Sequence, residues 1–301
     1  MNSYCIVSGS SHKAFASALS RLLRAPLLTA DIHPYSDSET YVRITASSQQ
    51  VYRKHAVVVQ SGCRPACDHM VELFLLIDAL TRMHPRSITA VIPFLPFRRQ
   101  EHVNVRGEGV GGELFANILR EAGVTRVLTS DLHHESFKRF YTGLVEISAL
   151  PLFIAYFQKI RSHAVIVSPD EGGQVRARRL ADALHLPMFY IPKERPQHDK
   201  VRMRRFVCKD SYQTAIIIDD EINTAGTIST SVDVLWQCGI HDIRVAATHP
   251  VLSGLATERL KDPKIKEVVF ADTIPIPAQL KLKKYTVLKL EPLFADILEK
   301  L

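Results

Sequence analysis

Residues 214–227, Thr-Ala-Ile-Ile-Ile-Asp-Asp-Glu-Ile-Asn-Thr-Ala-Gly-Thr, leave few folds open to this chain. Ala215 to Ile218 is a short continuous apolar run, as a strand buried on both faces of a parallel sheet requires. Asp219 and Asp220 follow at its carboxyl end. The small-residue loop Thr224-Ala225-Gly226-Thr227 then opens into a helical pattern, Ile228, Val232, Leu235. Strand, acidic pair, small loop and helix together make the geometry of a phosphate-binding turn. Free backbone N–H groups at the helix start wrap an anion, and the Thr224 and Thr227 hydroxyls add donors. Small side chains let the phosphate approach the main chain. The carboxylates suit sugar hydroxyls, or a metal that they hold. The plainer reading is a strand-to-helix connection with an acidic N-cap, common to α/β proteins.

The same alternation runs through the whole chain. Tyr4 to Val7 reads as a strand, Ser11 to Leu23 as a helix and Leu27 to Ile32 as a second strand. Tyr35-Ser36-Asp37-Ser38-Glu39 is a polar turn with an aromatic, leading into the alternating strand Thr40 to Ile44. His55 to Gln60 and Ile88 to Pro93 are apolar strands. Asp68 to Met83 between them places Met70, Leu73, Ile77 and Leu80 at helical spacing. Val103 to Gly112 holds four glycines without hydrophobic periodicity and reads as a mobile loop. Glu113 to Ala122 is helical, and Arg126 to Thr129 is a strand. After a prolyl break at Pro151 the pattern repeats. Strands are expected at Ala164–Val167, Met188–Ile191, Ile243–Thr248, Glu267–Phe270 and Tyr285–Leu288, and helices at Gln174–Leu184 and Gly254–Leu260. Each half alternates β and α, so the fold expected is α/β, with two tandem doubly wound parallel-sheet domains. The boundary falls near Leu150, giving domains 1–150 and 151–290, with a final helix in 291–301 expected to pack on the first.

The 301 residues suffice for two medium domains with their own cores. No stretch approaches about 18 apolar residues, so no membrane span is expected. The start runs directly into a strand without a signal-peptide core, so a cytoplasmic location is expected. Five scattered cysteines make no paired metal or disulfide framework, and reduced thiols are the better reading. The net charge of +7 is spread in small groups such as Arg98-Arg99 and Arg176/Arg178/Arg179, without a basic block. That pattern suits pockets for small polyanions and argues against a nucleic-acid track.

Ligands of open α/β sheets bind outside the carboxyl ends of the strands. His133, Asp170, Lys193, Arg195, Asp219 and Asp220 all fall at such ends. Alone, each has a bland structural reading; their joint placement is what points to a site.

At this point a resemblance enters. The loop resembles the signature of the phosphoribosyl pyrophosphate (PRPP) binding fold, with Asn223 where an acidic residue is frequent and Ala225 in place of the first glycine. Longer stretches resemble the PRPP synthetase (ribose-phosphate diphosphokinase) family. They are Ser168-Pro169-Asp170-x-Gly172-Gly173-x-Val175-Arg176-Ala177, Asp131-Leu132-His133, Lys193-x-Arg195-Pro196 and Ala247-Thr248-His249-Pro250-Val251-x-Ser253-Gly254. Ser36-Asp37-x-Glu39, Arg99-Gln100, Ile88 to Pro93 and Val269 to Pro275 match as well, in the family's order from about Tyr4 to Leu301.

The resemblance implies two domains of the phosphoribosyltransferase type. It also implies Mg2+-dependent transfer of the β,γ-diphosphoryl group of ATP to the 1-hydroxyl of ribose 5-phosphate, giving PRPP and AMP. Carried over, Asn223, Thr224, Ala225, Gly226 and Thr227 hold the 5-phosphate, and Asp219 and Asp220 take the ribose hydroxyls, partly through magnesium. His133 and Asp170 resemble the ATP–magnesium site, and Lys193 and Arg195 the catalytic cations. Tyr35, Asp37 and Glu39 resemble an adenine site lent by a neighbouring subunit, with Arg99 and Gln100 completing the ATP pocket. A homo-oligomer with shared active sites is therefore expected. There are departures: Glu101-His102-Val103 stands where the family shows an aspartate and two cations, and Glu113 where lysine is common. They raise a second reading, a catalytically weak regulatory or scaffolding paralogue. In the commonest class of the family, serines beyond the last helix help bind an allosteric phosphate or ADP. No Ser or Thr follows Thr286, so activity without a need for inorganic phosphate is expected.

Overall fold

β-Branched and apolar runs become the strands of two parallel sheets. The computed structural model describes residues 3–141, 143–160, 163–191 and 212–301. The chain divides into two compact units. The first runs to Ile147 and also takes in Thr273–Pro275 and Leu290–Leu301; the second comprises Ser148–Asp272 and Ile276–Lys289.

In the first unit, β1 (Tyr4–Ser8) leads into α1 (Lys13–Leu22), and β2 (Leu27–Leu28) returns beside β1. A two-stranded antiparallel hairpin follows, β3 (Ala30–Pro34) paired with β4 (Thr40–Ile44). Then come β5 (His55–Val59), α2 (Ala66–Thr81), β6 (Ser87–Val91), α3 (Gly111–Glu121), β7 (Arg126–Ser130) and β8 (Leu144–Ile147). The sheet order is β2-β1-β5-β6-β7-β8, and every pairing in it is parallel. Val57, Val58, Ala90 and Val91 are fully buried, as strands covered by helices on both faces require.

The single strand expected at Leu27–Ile32 is in fact two. Leu28 is buried in the core, whereas Asp31 and His33 are exposed and cannot continue a buried parallel strand. The chain leaves the main sheet at Thr29 and pairs instead with β4. β8 carries Glu146 among only four residues, so its apolar signal is too short to read. α3 begins at Gly111, inside the stretch expected as loop. A Cβ on Gly112 would collide with the buried Phe137 ring, so close packing asks for glycine there.

The second unit begins with α4 (Leu150–Phe157), β9 (Ala164–Ser168), α5 (Gln174–Leu184) and β10 (Met188–Tyr190). Next are β11 (Thr214–Glu221), α6 (Gly226–Gln237), β12 (Asp242–His249), α7 (Ala256–Leu260), β13 (Ile265–Ala271) and β14 (Tyr285–Leu288). Its sheet, in the order β10-β9-β11-β12-β13-β14, is also wholly parallel. Val165, Val167, Ile217, Val245 and Val268 are fully buried and form its core with residues of α6 and α7. The last helix, α8 (Glu291–Leu298), belongs to the first unit: Phe294 meets Phe15 of α1 edge-on at 5.2 Å.

Candidate active site

β11 is longer than its apolar run. Asp219, Asp220 and Glu221 are its last three residues, with Asp219 paired to Ala247 and Glu221 to His249 of β12. The carboxylates therefore hang from a fixed ladder rather than from a loop. Arg176 on α5 approaches both: its Nη1 lies 3.8 Å from Asp219 Oδ1 and 3.8 Å from Asp220 Oδ1. The Asp220 N–H donates to Asp219 Oδ1 at 2.9 Å. Burial, then the neighbouring Asp220 charge, push the Asp219 carboxyl well above the usual aspartate range, with Arg176 opposing.

On the adjacent strand, β9 ends in Ser168 and the turn that carries Asp170. Asp170 Oδ1 accepts the Gly173 N–H at 3.1 Å, and the Ser168 hydroxyl donates to the Asp170 carbonyl at 2.7 Å. A Cβ on Gly173 would lie 2.6 Å from Ser168 Oγ, with Asp219 Oδ1 at 3.9 Å. Glycine here lets the start of α5 pack against the Ser168 hydroxyl.

After β11 the chain turns at Ala225, whose φ of 58° is left-handed, and enters α6 at Gly226. Arg259 from α7 donates to the Thr224 carbonyl at 2.7 Å, so the turn is braced by its own domain. Asn223 is braced as well: the Ser253 hydroxyl donates to Asn223 Oδ1, and the Ser253 N–H to the Asn223 carbonyl at 2.8 Å. The second unit thus brings together Asp170, Asp219, Asp220, Arg176 and residues 223–227 at the carboxyl ends of β9 and β11. Arg259 and Ser253 escaped the sequence reading. Ser253 lay in a quoted motif, but Arg259 gave no local signal.

The remaining predicted residues lie in the first unit or outside the described residues. Arg99 and Gln100 are exposed and follow Phe97, a left-handed residue at φ 59°. They line a cavity of about 640 Å³ whose other walls include Met70, Phe74, Phe97 and Phe115. His133 is exposed just beyond β7. Tyr35, Asp37 and Glu39 form the hairpin tip between β3 and β4. The Tyr35 N–H donates to the Glu39 carbonyl at 2.7 Å, and Tyr35 is 50% exposed with its ring edge-on to Tyr41 at 5.6 Å. Lys193 and Arg195 lie outside the described residues. Among the described residues, no three His, Cys, Asp or Glu side chains cluster to hold a metal, and no helix is long and apolar enough to cross a membrane.

Known proteins match this arrangement along almost its whole length. The profile of the N-terminal domain of ribose phosphate pyrophosphokinase matches residues 4–123, and that of the phosphoribosyl synthetase-associated domain matches residues 168–300. A ribose-phosphate pyrophosphokinase of Halalkalibacterium halodurans is 37% identical over 95% of this chain and 90% of its own length. The Bacillus subtilis enzyme of that name is 34% identical over 97% and 92% respectively. The crystal structure of phosphoribosylpyrophosphate synthetase from Mycobacterium smegmatis superposes with a TM-score of 0.87, at 30% identity over 98% of this chain and 97% of that one. Matched by both of its domain profiles and by relatives of 34–37% identity over nearly their whole length, the chain belongs to the ribose-phosphate pyrophosphokinase family.

Proposed function

We propose that this protein makes PRPP: it transfers the β,γ-diphosphoryl group of ATP to the 1-hydroxyl of ribose 5-phosphate and releases AMP. The observation that carries the reading is the left-handed turn at Ala225, opening α6 beside the half-buried Asp219 and the buried Asp220. A sugar phosphate presents both of the groups such a site takes, an anion for the turn and hydroxyls for the carboxylates. None of these findings supports the second reading, a weak regulatory paralogue.

In the reaction the ribose O1 attacks the β-phosphorus of ATP. The O1–Pβ bond forms, the bond from Pβ to the α,β-bridging oxygen breaks, AMP leaves with that electron pair, and the hydroxyl proton passes to solvent. Such transfer needs positioning and charge stabilisation more than covalent help from protein. Residues 224–227 hold the 5-phosphate. Asp219 and Asp220 orient the ribose hydroxyls, and Arg176 limits their mutual repulsion. Arg99, Gln100 and His133 bind ATP. Lys193 and Arg195, assigned by resemblance, offset charge on the moving group.

The donor set fits Mg2+. Carboxylate oxygens are its preferred protein ligands, and it binds through one or two of them plus substrate phosphates, so no closed cage is needed. Asp170 is the residue of the second unit that would hold it. Once bound, the ion would neutralise charge on the β- and γ-phosphates.

The test is AMP release by purified protein. Release should require ribose 5-phosphate and Mg2+ and stop with EDTA; ATP turnover indifferent to ribose 5-phosphate would sink the reading. Lys193→Ala and Arg195→Ala should each lower kcat by about 10²-fold or more with folding intact. The proposed shared site puts Tyr35 of one copy on the ATP of the next, supported by its exposure on a self-paired hairpin. Mixing inactive Tyr35→Ala and His133→Ala chains should then restore part of the activity, because some sites receive both intact residues.

A further inference from the structure

Arg98 is a buried cation at a junction. It is only 4% exposed, its guanidinium lies 4.7 Å over the Phe94 ring, and its Nη1 donates to the Asp131 main-chain carbonyl at 2.9 Å. Asp131 closes the end of β7 with φ 27°, a conformation in the left-handed region that L-residues enter at a cost. Its carbonyl is therefore held where an unconstrained chain would not leave it.

The two ends of this hydrogen bond belong to different segments. Arg98 immediately precedes Arg99 and Gln100, and Asp131 stands two residues before His133. A second set of contacts ties the same segments further out. Ser136 donates its hydroxyl to Glu101, Arg139 donates to the Glu101 carbonyl at 2.9 Å, and His134 lies 3.9 Å from the Glu101 carboxylate. The inner tie is the costlier one. Burying a guanidinium is expensive, and an apolar residue could fill the same space more cheaply. What an apolar residue could not do is hold the carbonyl.

We infer that Arg98 is a positioning residue of the ATP site, fixing through the Asp131 carbonyl the spacing between Arg99-Gln100 and His133. The inference rests on the reading of those residues as ATP ligands. Arg98 and the residues it is argued to position belong to the first unit, whereas the ribose 5-phosphate residues belong to the second. A split between the two substrates is therefore its signature.

The experiment measures KM for ATP and for ribose 5-phosphate in Arg98→Met and Arg98→Lys, with circular dichroism as the folding control. Losing a charge-assisted bond should raise the ATP KM of Arg98→Met about tenfold or more, with the ribose 5-phosphate KM within about twofold of wild type. Arg98→Lys keeps a charged donor and should recover most of that loss. An Arg98→Met protein with a wild-type ATP KM, or with both constants raised together, overturns the inference. If Arg98→Met does not fold, Arg98→Leu takes its place; it removes the donor as completely, and an unchanged ATP KM there overturns the inference equally. A wild-type chain that releases no AMP overturns the functional reading and this inference with it. An active wild type with an indifferent Arg98 overturns this inference alone.

Discussion

Asp219 costs the free protein stability so that it can serve the site. Its carboxyl is held above the usual aspartate range, chiefly by burial. A raised folded-state pKa contributes stability that is complete below the unfolded value, about 3.9, and is lost as pH rises through the folded value. At neutral pH the ionised group therefore works against folding. Asp219→Asn should melt about 3–8 °C higher than wild type at pH 7 in EDTA, and the gap should close as pH falls toward 4. Ribose 5-phosphate binding should be lost in the same variant. A melt at or below wild type at pH 7 would refute this account. Ala225 makes a different bargain. Its left-handed backbone costs about 1–2 kcal/mol, but its methyl group is buried in the core, and glycine would loosen the unfolded chain. These effects nearly cancel, so Ala225→Gly should melt within about 2 °C of wild type, and a larger drop would show that the methyl dominates. The carboxylate pair and the turn were legible because a strand end, a small loop and a helix start are contiguous in sequence. Arg259, which braces Thr224 from α7, was not, because nothing local to Arg259 announces a distant carbonyl.

Apolar runs made the strands readable, and the misreadings sit where polar residues or glycines extend an element. β11 keeps Asp219 to Glu221 in the ladder because β12 is long enough to pair with them. Asp31 and His33 form a strand whose partner lies outside the main sheet. Gly112 enters α3 because the Phe137 ring presses on it. At the turn from β9 to α5, Gly173 has the same cause, and there it bears on function. A methyl group 2.6 Å from Ser168 Oγ must displace that hydroxyl, and with it the bond to the Asp170 carbonyl. Gly173→Ala should therefore cost about 1–3 kcal/mol and move Asp170 from its place. Denaturant unfolding measures the first effect, and the Mg2+ concentration giving half-maximal rate measures the second. A variant of unchanged stability and Mg2+ dependence would mean that the turn relaxes freely.

The order of the chain and the order of the cores do not coincide. α8 comes last in sequence, after the whole second sheet, yet it packs with the first unit. Phe294 and Phe15 are both fully buried and meet edge-on at 5.2 Å, and the Tyr4 hydroxyl of β1 donates to the Leu298 carbonyl at 2.5 Å. Helical periodicity in residues 291–301 announced a buried face. That this face covers the first core was expected, but the expectation did not come from periodicity, which carries no long-range information. The consequence is a mutation near one end of the chain that should act near the other. Phe294→Ala removes a buried ring and leaves a cavity, at a cost of about 3–5 kcal/mol. Because each unit has a core of its own, that loss should appear as lowered opening free energy in the unit that contains α8. Hydrogen exchange should show amides of β1 and α1 losing protection, while those of β9 and β11 keep theirs, although β11 is far closer to residue 294 in sequence. Equal loss of protection in both units would show that they unfold as one body, and unchanged protection in β1 and α1 would show that α8 contributes nothing to the first core.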